Sequence, residues 1–193
     1  MGKLRFWARE AEAESRSRRS FGSLADRIQA GPIPLGEALR YAIELAEALR
    51  EVHGRGRTYA ALHPANVSLA DDRAQLTFSA QMAVSPYFSP EQVAGRDLDA
   101  RTDIFSLGAL TYEMLSGRKA FDAPTKPALR IAILDRDPAP LVGVPPALSR
   151  LIGRCLEKKP ERRLQRMEIL LAELKLQEIL ARGANPLRNL TVS

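Results

Sequence analysis

Residues 35–53 constrain the fold most, because their apolar members recur at the spacing of one helical face. Those members are Ala38, Ala42, Leu45, Leu49 and Val52. A repeat of three or four residues places them in a single stripe, which a stable helix buries against other elements. Gly31-Pro32-Ile33-Pro34 breaks any helix before this stretch, and Gly54 and Gly56 end it. The chain therefore needs a core built around this helix.

Further helices and one β-hairpin are predicted around that core. Short apolar runs at Val67-Ser68-Leu69 and Gln75-Leu76-Thr77 flank the polar pair Asp71-Asp72, a pattern typical of a small hairpin. Helices are predicted over 24–29, 35–53, 90–94, 102–115, 126–134, 147–156 and 164–181, with a proline-rich loop between the helices at 126–134 and 147–156. The fold class is therefore mainly α, with one small β-hairpin.

Composition indicates one globular domain. The 193 residues are 45% hydrophobic and 27% charged, which is enough to bury one sizeable core. Residues 1–22 are polar and basic, with Phe6 and Trp7 as the only aromatic residues in the stretch before Ser20, and they predict a tail or a frayed helix. We assign the folded domain to residues 23–175, and the end of the last helix with a tail to residues 176–193.

Charge and cysteine content exclude several classes. The net charge of +6 lies in basic stretches that carry no recognised nucleic-acid motif, so we expect no nucleic-acid binding. The single cysteine, Cys155, cannot form an internal disulfide, and no apolar run is long enough to cross a bilayer. We expect a cytoplasmic location. The two histidines, His53 and His63, are too isolated to predict a metal site.

Four motifs carry a resemblance to a known family. The segment Asp103-Ile104-Phe105-Ser106-Leu107-Gly108 follows Ser89-Pro90-Glu91-Gln92, and Cys155-Leu156-Glu157-Lys158-Lys159-Pro160-Glu161-Arg162-Arg163 comes later. In order and spacing they resemble the large, C-terminal lobe of bacterial Hanks-type Ser/Thr protein kinases. Leu62-His63-Pro64-Ala65-Asn66-Val67 resembles the end of that family's catalytic loop. The resemblance runs from about Leu24 to about Leu174.

The resemblance implies a structural role for three residues. In the family a buried ion pair joins the last Arg of the segment that ends here at Arg163 to the Glu of the Ser-Pro-Glu motif. The matching positions are Arg163 and Glu91. Asp103 matches the Asp of the helix that runs through the middle of the large lobe. The fold expected from the resemblance is a kinase-like large lobe, with the small lobe absent.

The catalytic positions of the family are altered in this chain. The resemblance aligns Ala61 with the catalytic Asp, His63 with a phosphate-contacting Lys, and Phe78 with the Asp that binds Mg²⁺. A methyl group accepts no proton, and Mg²⁺ requires oxygen ligands. Asn66 matches the second metal ligand, and we interpret it as a loop-stabilising hydrogen bonder. These positions predict a degenerate pseudokinase that is not an enzyme, with no cofactor, no bound metal and no ATP binding.

The leading functional hypothesis is a protein-interaction or regulatory scaffold. Without a small lobe, the surface near Tyr59, Val67 and Leu69 should be uncovered and should bind a protein partner, a second copy, or the chain's own Phe6-Trp7 segment. A rival hypothesis is a nucleotide-binding protein or a kinase completed by a partner lobe in trans. A third is an anionic-surface binder that uses the basic residues of the N-terminal segment, which are Lys3, Arg5, Arg9, Arg16, Arg18 and Arg19.

Overall fold

The computed structural model describes residues 22–77 and 84–183. The predictions for Phe6, Trp7 and Phe78 concern residues outside the described ranges. Nearly all of the predicted tail 1–22 and the residues after Gly183 are also outside them. In the described part, no helix is both long and apolar enough to span a bilayer.

Over the described residues the architecture is mostly helical with a single two-stranded hairpin, which confirms the predicted fold class. In chain order, the elements are α1 (Leu24–Gln29), α2 (Leu35–Gly54), β1 (Val67–Ala70), β2 (Arg73–Leu76), α3 (Pro90–Ala94), α4 (Ala100–Ser116), α5 (Lys126–Asp135), α6 (Pro146–Cys155) and α7 (Met167–Gly183). Two short 3₁₀ turns, Pro64–Asn66 and Pro160–Arg162, were not foreseen from the sequence.

Helix α1 is fixed to the start of α2 by local capping and by one ion pair. The Ser23 hydroxyl accepts a hydrogen bond from the Asp26 backbone N–H, and the Asp26 carboxylate accepts one from the Ser23 N–H. This capping box satisfies two donors that a helix start leaves unpaired. Arg27 then donates through two nitrogens to Glu37 on α2, at 2.7 and 3.0 Å.

Helix α4 is the centre of the lobe, and it is buried on all sides from Thr102 to Met114. It starts at the N-cap Asp99, whose carboxylate accepts from the Arg101 N–H, and it ends at Gly117 in the left-handed conformation. Apolar residues lie on every side of α4, which is typical of a helix inside a protein rather than on its surface, and the few polar residues between them are buried too. Helices α2, α6 and α7 pack around it.

The turn of the hairpin lies at Asp71-Asp72, as the sequence predicted. Its strands pair antiparallel, with Val67 opposite Leu76 and Ala70 opposite Arg73. Asp71 and Asp72 both have positive φ, 51° and 60°, as a type I′ turn requires. The Tyr41 hydroxyl on α2 donates to the Asp72 carboxylate at 2.8 Å and holds the turn against the helix.

The predicted exposure of Val67 and Leu69 is wrong. Their side chains are 0% and 6% exposed, since β1 turns this face inward and lies against α1. The backbone N–H of Leu69 donates to the Gly22 carbonyl, which anchors the chain before α1 across the strand. An apolar strand face covered in this way offers no side chain to a partner.

The last helix begins at Met167, three residues later than predicted. Arg163 and Leu164 are buried in an extended segment before it, where Arg163 makes contacts with several backbone carbonyls. The apolar residue Leu164 packs in the core without being helical. Tertiary contacts therefore override the helical pattern here.

Gly108 marks the closest approach of α4 to α6. A Cβ at this position would lie 2.6 Å from the Cβ of Cys155, and neither carbon can rotate away. Gly108→Ala should therefore destabilise the lobe by about 1 to 3 kcal/mol through overpacking. Chemical denaturation measures the change.

Gly153→Ala on the exposed side of α6 is the matched control. A Cβ there meets no atom within 4 Å, so the substitution should instead stabilise the protein by roughly 0.5 to 1 kcal/mol through helix propensity. Equal unfolding free energies for the two variants would contradict the close contact between α4 and α6.

Candidate functional site

The loop before the 3₁₀ turn at Pro64–Asn66 is held by one buried carboxylate. Asp103 on α4 is fully buried, and its Oδ1 accepts from the Ala60 N–H at 2.7 Å. Its Oδ2 accepts from the Tyr59 N–H and from His53 Nε2, each at 2.8 Å. A buried carboxylate needs such donors to offset its lost hydration. We call residues 58–63, which this carboxylate fixes, the anchored loop.

The anchored loop contains a backbone conformation that non-glycine residues seldom adopt. Ala60 has φ of 55°, in the left-handed region. Its N–H is held by Asp103, and its carbonyl accepts from Gln92 Nε2 on α3 at 2.8 Å. The conformation persists because buried Asp103 and partly buried Gln92 fix the N–H and the carbonyl of this residue.

Asn66 and Tyr59 connect the anchored loop to the hairpin. The Asn66 side-chain amide donates to the Ala61 carbonyl at 2.9 Å. The Tyr59 hydroxyl donates to the Thr77 carbonyl at 2.6 Å, and the Thr77 N–H donates to the Asn66 carbonyl. Burial, followed by the negative charge of Asp103, raises the pKa of Tyr59. The geometry at Asn66 is that of a loop-stabilising residue.

His63 caps the 3₁₀ turn and lies against a tyrosine. Its Nδ1 accepts from the Ala65 N–H at 3.1 Å, which places the proton of a neutral ring on Nε2. Its ring meets the edge of Tyr87, with centroids 4.9 Å apart. Burial, and then the positive charge of Lys119, lowers the pKa of His63. The ring is therefore neutral at physiological pH.

A buried polar pair beside His63 was missed by sequence reasoning. The Tyr87 hydroxyl donates to the carboxylate of Glu113 on α4, and both residues are buried. Burial raises the pKa of Glu113 even though the hydrogen bond from Tyr87 opposes the rise. A glutamate within the apolar run of α4 was the only sequence signal for it.

Glu91 and Arg163 form a bidentate ion pair across 72 positions of the chain. Glu91 Oε1 lies 2.6 Å from Arg163 Nη1, and Oε2 lies 2.7 Å from Nη2. Thr102 donates a third hydrogen bond to the carboxylate at 2.8 Å. The guanidinium also donates to three backbone carbonyls and lies 4.9 Å from the Phe105 ring centroid. Every polar side-chain atom that is buried in the described part of the chain has a hydrogen-bond partner.

The structure thus brings most of the predicted site residues to two centres. Tyr59, Ala61, His63 and Asn66 lie in or beside the anchored loop, with Asp103 beneath it, while Glu91 and Arg163 join α3 to the segment before α7. Val67 and Leu69 are buried under α1 and do not contribute to an exposed site. Within residues 22–77 and 84–183, no group of three or more His, Cys, Asp or Glu residues has metal-binding geometry.

Arg163→Ala should destabilise the lobe by about 3 to 5 kcal/mol, because it leaves the Glu91 carboxylate buried without its cation. Lys175→Ala is the control, since it breaks a half-exposed pair with Glu47 that contributes less than about 1 kcal/mol. Thermal or urea unfolding compares the two. Similar losses of unfolding free energy in both variants would show that the buried pair stabilises the protein no more than the half-exposed pair does.

The same pair should make the protein acid-sensitive. Burial raises the pKa of Glu91, but Arg163, the backbone and Thr102 together lower it below the ordinary value of 4.5. A lowered folded-state pKa gives stability that is present above the ordinary value and is lost as pH falls through the folded value. The gap in unfolding free energy between wild type and Arg163→Ala should therefore narrow below about pH 4.5. A gap that stays constant into acid would contradict this linkage.

Comparison with known proteins identifies the family. The family model for the protein kinase domain matches residues 18–174, which is most of the chain. A probable serine/threonine-protein kinase of Clostridium acetobutylicum is 32% identical over 75% of this chain and 25% of its own length. The serine/threonine-protein kinase pkn2 of Myxococcus xanthus is 34% identical over 74% of this chain and 21% of its own length. PknB of Mycobacterium tuberculosis is 27% identical over 75% of this chain and 26% of its own length.

These relatives correct one expectation. The interpretation of the chain as a protein that is not an enzyme is overturned, because the similar proteins are named as serine/threonine-protein kinases. The chain spans only about a quarter of the length of the curated relatives it matches. With its helical lobe and single hairpin, the chain belongs to the protein kinase family and is related to the bacterial serine/threonine-protein kinases.

Proposed function

We propose that this chain is the docking half of a Ser/Thr protein kinase assembly, in which the anchored loop binds the polypeptide that completes the nucleotide cleft. In this proposal that polypeptide is a separate protein, and a crosslink within one chain would instead identify another stretch of a longer chain. The relatives' names support the kinase reaction, and the share of their length that this chain covers supports the need for a further part.

The observation that carries the proposal is the left-handed backbone conformation of Ala60, which hydrogen bonds hold in place. Backbone conformations of this kind cost free energy and persist where the surrounding structure enforces them, most often at active sites and ligand clamps. Asp103 accepts a hydrogen bond from the Ala60 N–H, and Gln92 donates one to the Ala60 carbonyl. Tyr59, Ala60 and Ala61 nevertheless stay partly exposed. A loop that is rigid and accessible loses little conformational entropy when it binds a partner.

The side chain at position 61 defines what the assembly must supply. Phosphoryl transfer to a hydroxyl is assisted by a group that orients the hydroxyl and accepts its proton. Ala61 presents a methyl group at the place where Asn66 fixes the loop carbonyl. In this proposal the proton acceptor comes from outside residues 58–63. The anchored loop positions the bound polypeptide and offers it backbone N–H and carbonyl groups.

Photo-crosslinking tests the docking role. The photoreactive residue p-benzoylphenylalanine is placed at Ala61, and at the exposed Arg154 on α6 as the matched control. We expect one defined protein adduct from position 61 in producing cells and none from position 154. Asp103→Asn replaces an accepting oxygen by a donating amide and should reduce the adduct, with circular dichroism confirming that the variant is folded. Equal adducts at the two positions would contradict docking at the loop.

Phosphotransfer is then measured on the isolated adduct partner and this chain together. With radiolabelled ATP and Mg²⁺, we expect label to be incorporated by the mixture above a heat-denatured control, and only background from the chain alone. Full incorporation by the chain alone would show that it needs no second part. Background from the mixture would rule out this partner as the completing half.

A further inference from the structure

The outer face of α7 carries a cluster of exposed apolar side chains. Of the seven large hydrophobic residues that are exposed in the described part of the chain, four lie on this helix. They are Ile169, Leu176, Ile179 and Leu180, with exposed fractions of 37, 49, 65 and 55%. Ile169 lies seven residues before Leu176, and Ile179 and Leu180 lie three and four residues after it. These spacings put all four on one side of the helix, with Ala172 between the first two. We call these five residues the α7 stripe.

The α7 stripe is opposite to the face that the fold uses. Met167, Leu170, Leu171 and Leu174 are buried and pack into the core. A surface helix normally has one apolar face and one polar face. Single exposed apolar residues need no explanation, but a continuous row of them marks an interaction site. Helix α7 is therefore built to contact something on both sides.

The charges beside the α7 stripe change sign along the helix. Glu168 lies at its N-terminal end and Arg182 at its C-terminal end, fourteen residues apart and hence on the same flank, because four turns separate them. Midway between them, Lys175 is already paired with Glu47 of α2 at 2.7 Å. Arg182 contacts Glu178 at 2.7 Å, but its side chain remains 73% exposed, and a guanidinium has five donors.

We propose that the α7 stripe binds the α7 stripe of a second copy of this chain, with the two helices antiparallel. In this arrangement Leu176 lies near the two-fold axis, and the small Ala172 lies opposite Ile179 and Leu180 of the other copy. Glu168 of each copy then faces Arg182 of the other, so the ion pair forms twice. An acidic end and a basic end on one flank are complementary to themselves only when the helices run in opposite directions.

The first test measures association of the full chain by analytical ultracentrifugation over a range of concentrations. Wild type should form dimers, and Leu176→Glu, at an exposed position, should raise the dissociation constant by about tenfold or more. Ile131→Glu on α5 is the matched control, because Ile131 is equally exposed, at 53%, and lies outside the α7 stripe. It should leave the dissociation constant unchanged.

The second test exchanges the charges. Glu168→Lys and Arg182→Glu each place like charges opposite one another in a homodimer, so each variant alone should dimerise more weakly than wild type. An equimolar mixture of the two single variants forms two favourable pairs and should recover dimers, as should the double variant. Circular dichroism confirms that all of these surface variants are folded.

Three results would overturn the proposal. One is a wild-type chain that stays monomeric at every concentration. Another is a mixture of the charge variants that behaves like the two variants measured separately, which would exclude the antiparallel pairing. The third is a monomer that dimerises only when residues 184–193 are deleted, since this would show that the stripe is covered by the chain's own C-terminal residues.

Discussion

The carboxylate of Asp103 is the interaction on which the rest of the lobe depends. It lies in the fully buried helix α4 and takes its hydrogen bonds from two successive backbone N–H groups and from His53. Three donors thus converge on one buried carboxylate, and each of them offsets part of the hydration that the carboxylate loses on burial. The anchored loop, the 3₁₀ turn after it and the start of the hairpin all follow from that fixed point.

The Glu91–Arg163 pair has a different task, because it joins segments that the core alone would not hold. It ties the start of α3 to the extended segment before α7, and Thr102 links the pair to α4. Gln92, the next residue after Glu91, reaches the Ala60 carbonyl. The two buried carboxylates are therefore connected through α3, and the loop geometry depends on both of them.

Much of the fold was predictable because local chemistry and tertiary structure agree. Helices α1 and α3 have the predicted limits, since capping serines and glycine or proline punctuation determine their ends. The turn at Asp71-Asp72 was predicted because this polar pair lies between two short apolar runs, and its two positive φ values are visible only in the structure. The burial of Val67 was not predictable in this way, because it depends on α1 crossing the hairpin. The Tyr87–Glu113 contact joins residues 26 positions apart, and no local pattern reports such a pairing.

The packing of α7 on α2 also has a consequence for biosynthesis. The two helices are the first long helix and the last, and the contact between Glu47 and Lys175 spans 128 positions. A ribosome adds about 5 to 20 residues per second, so the apolar stripe of α2 emerges roughly ten seconds before the helix that covers it. Until α7 has been synthesised, the apolar stripe of α2 lacks the helix that covers it. Synthesis of α7, rather than formation of α2, is therefore the event that closes this part of the core.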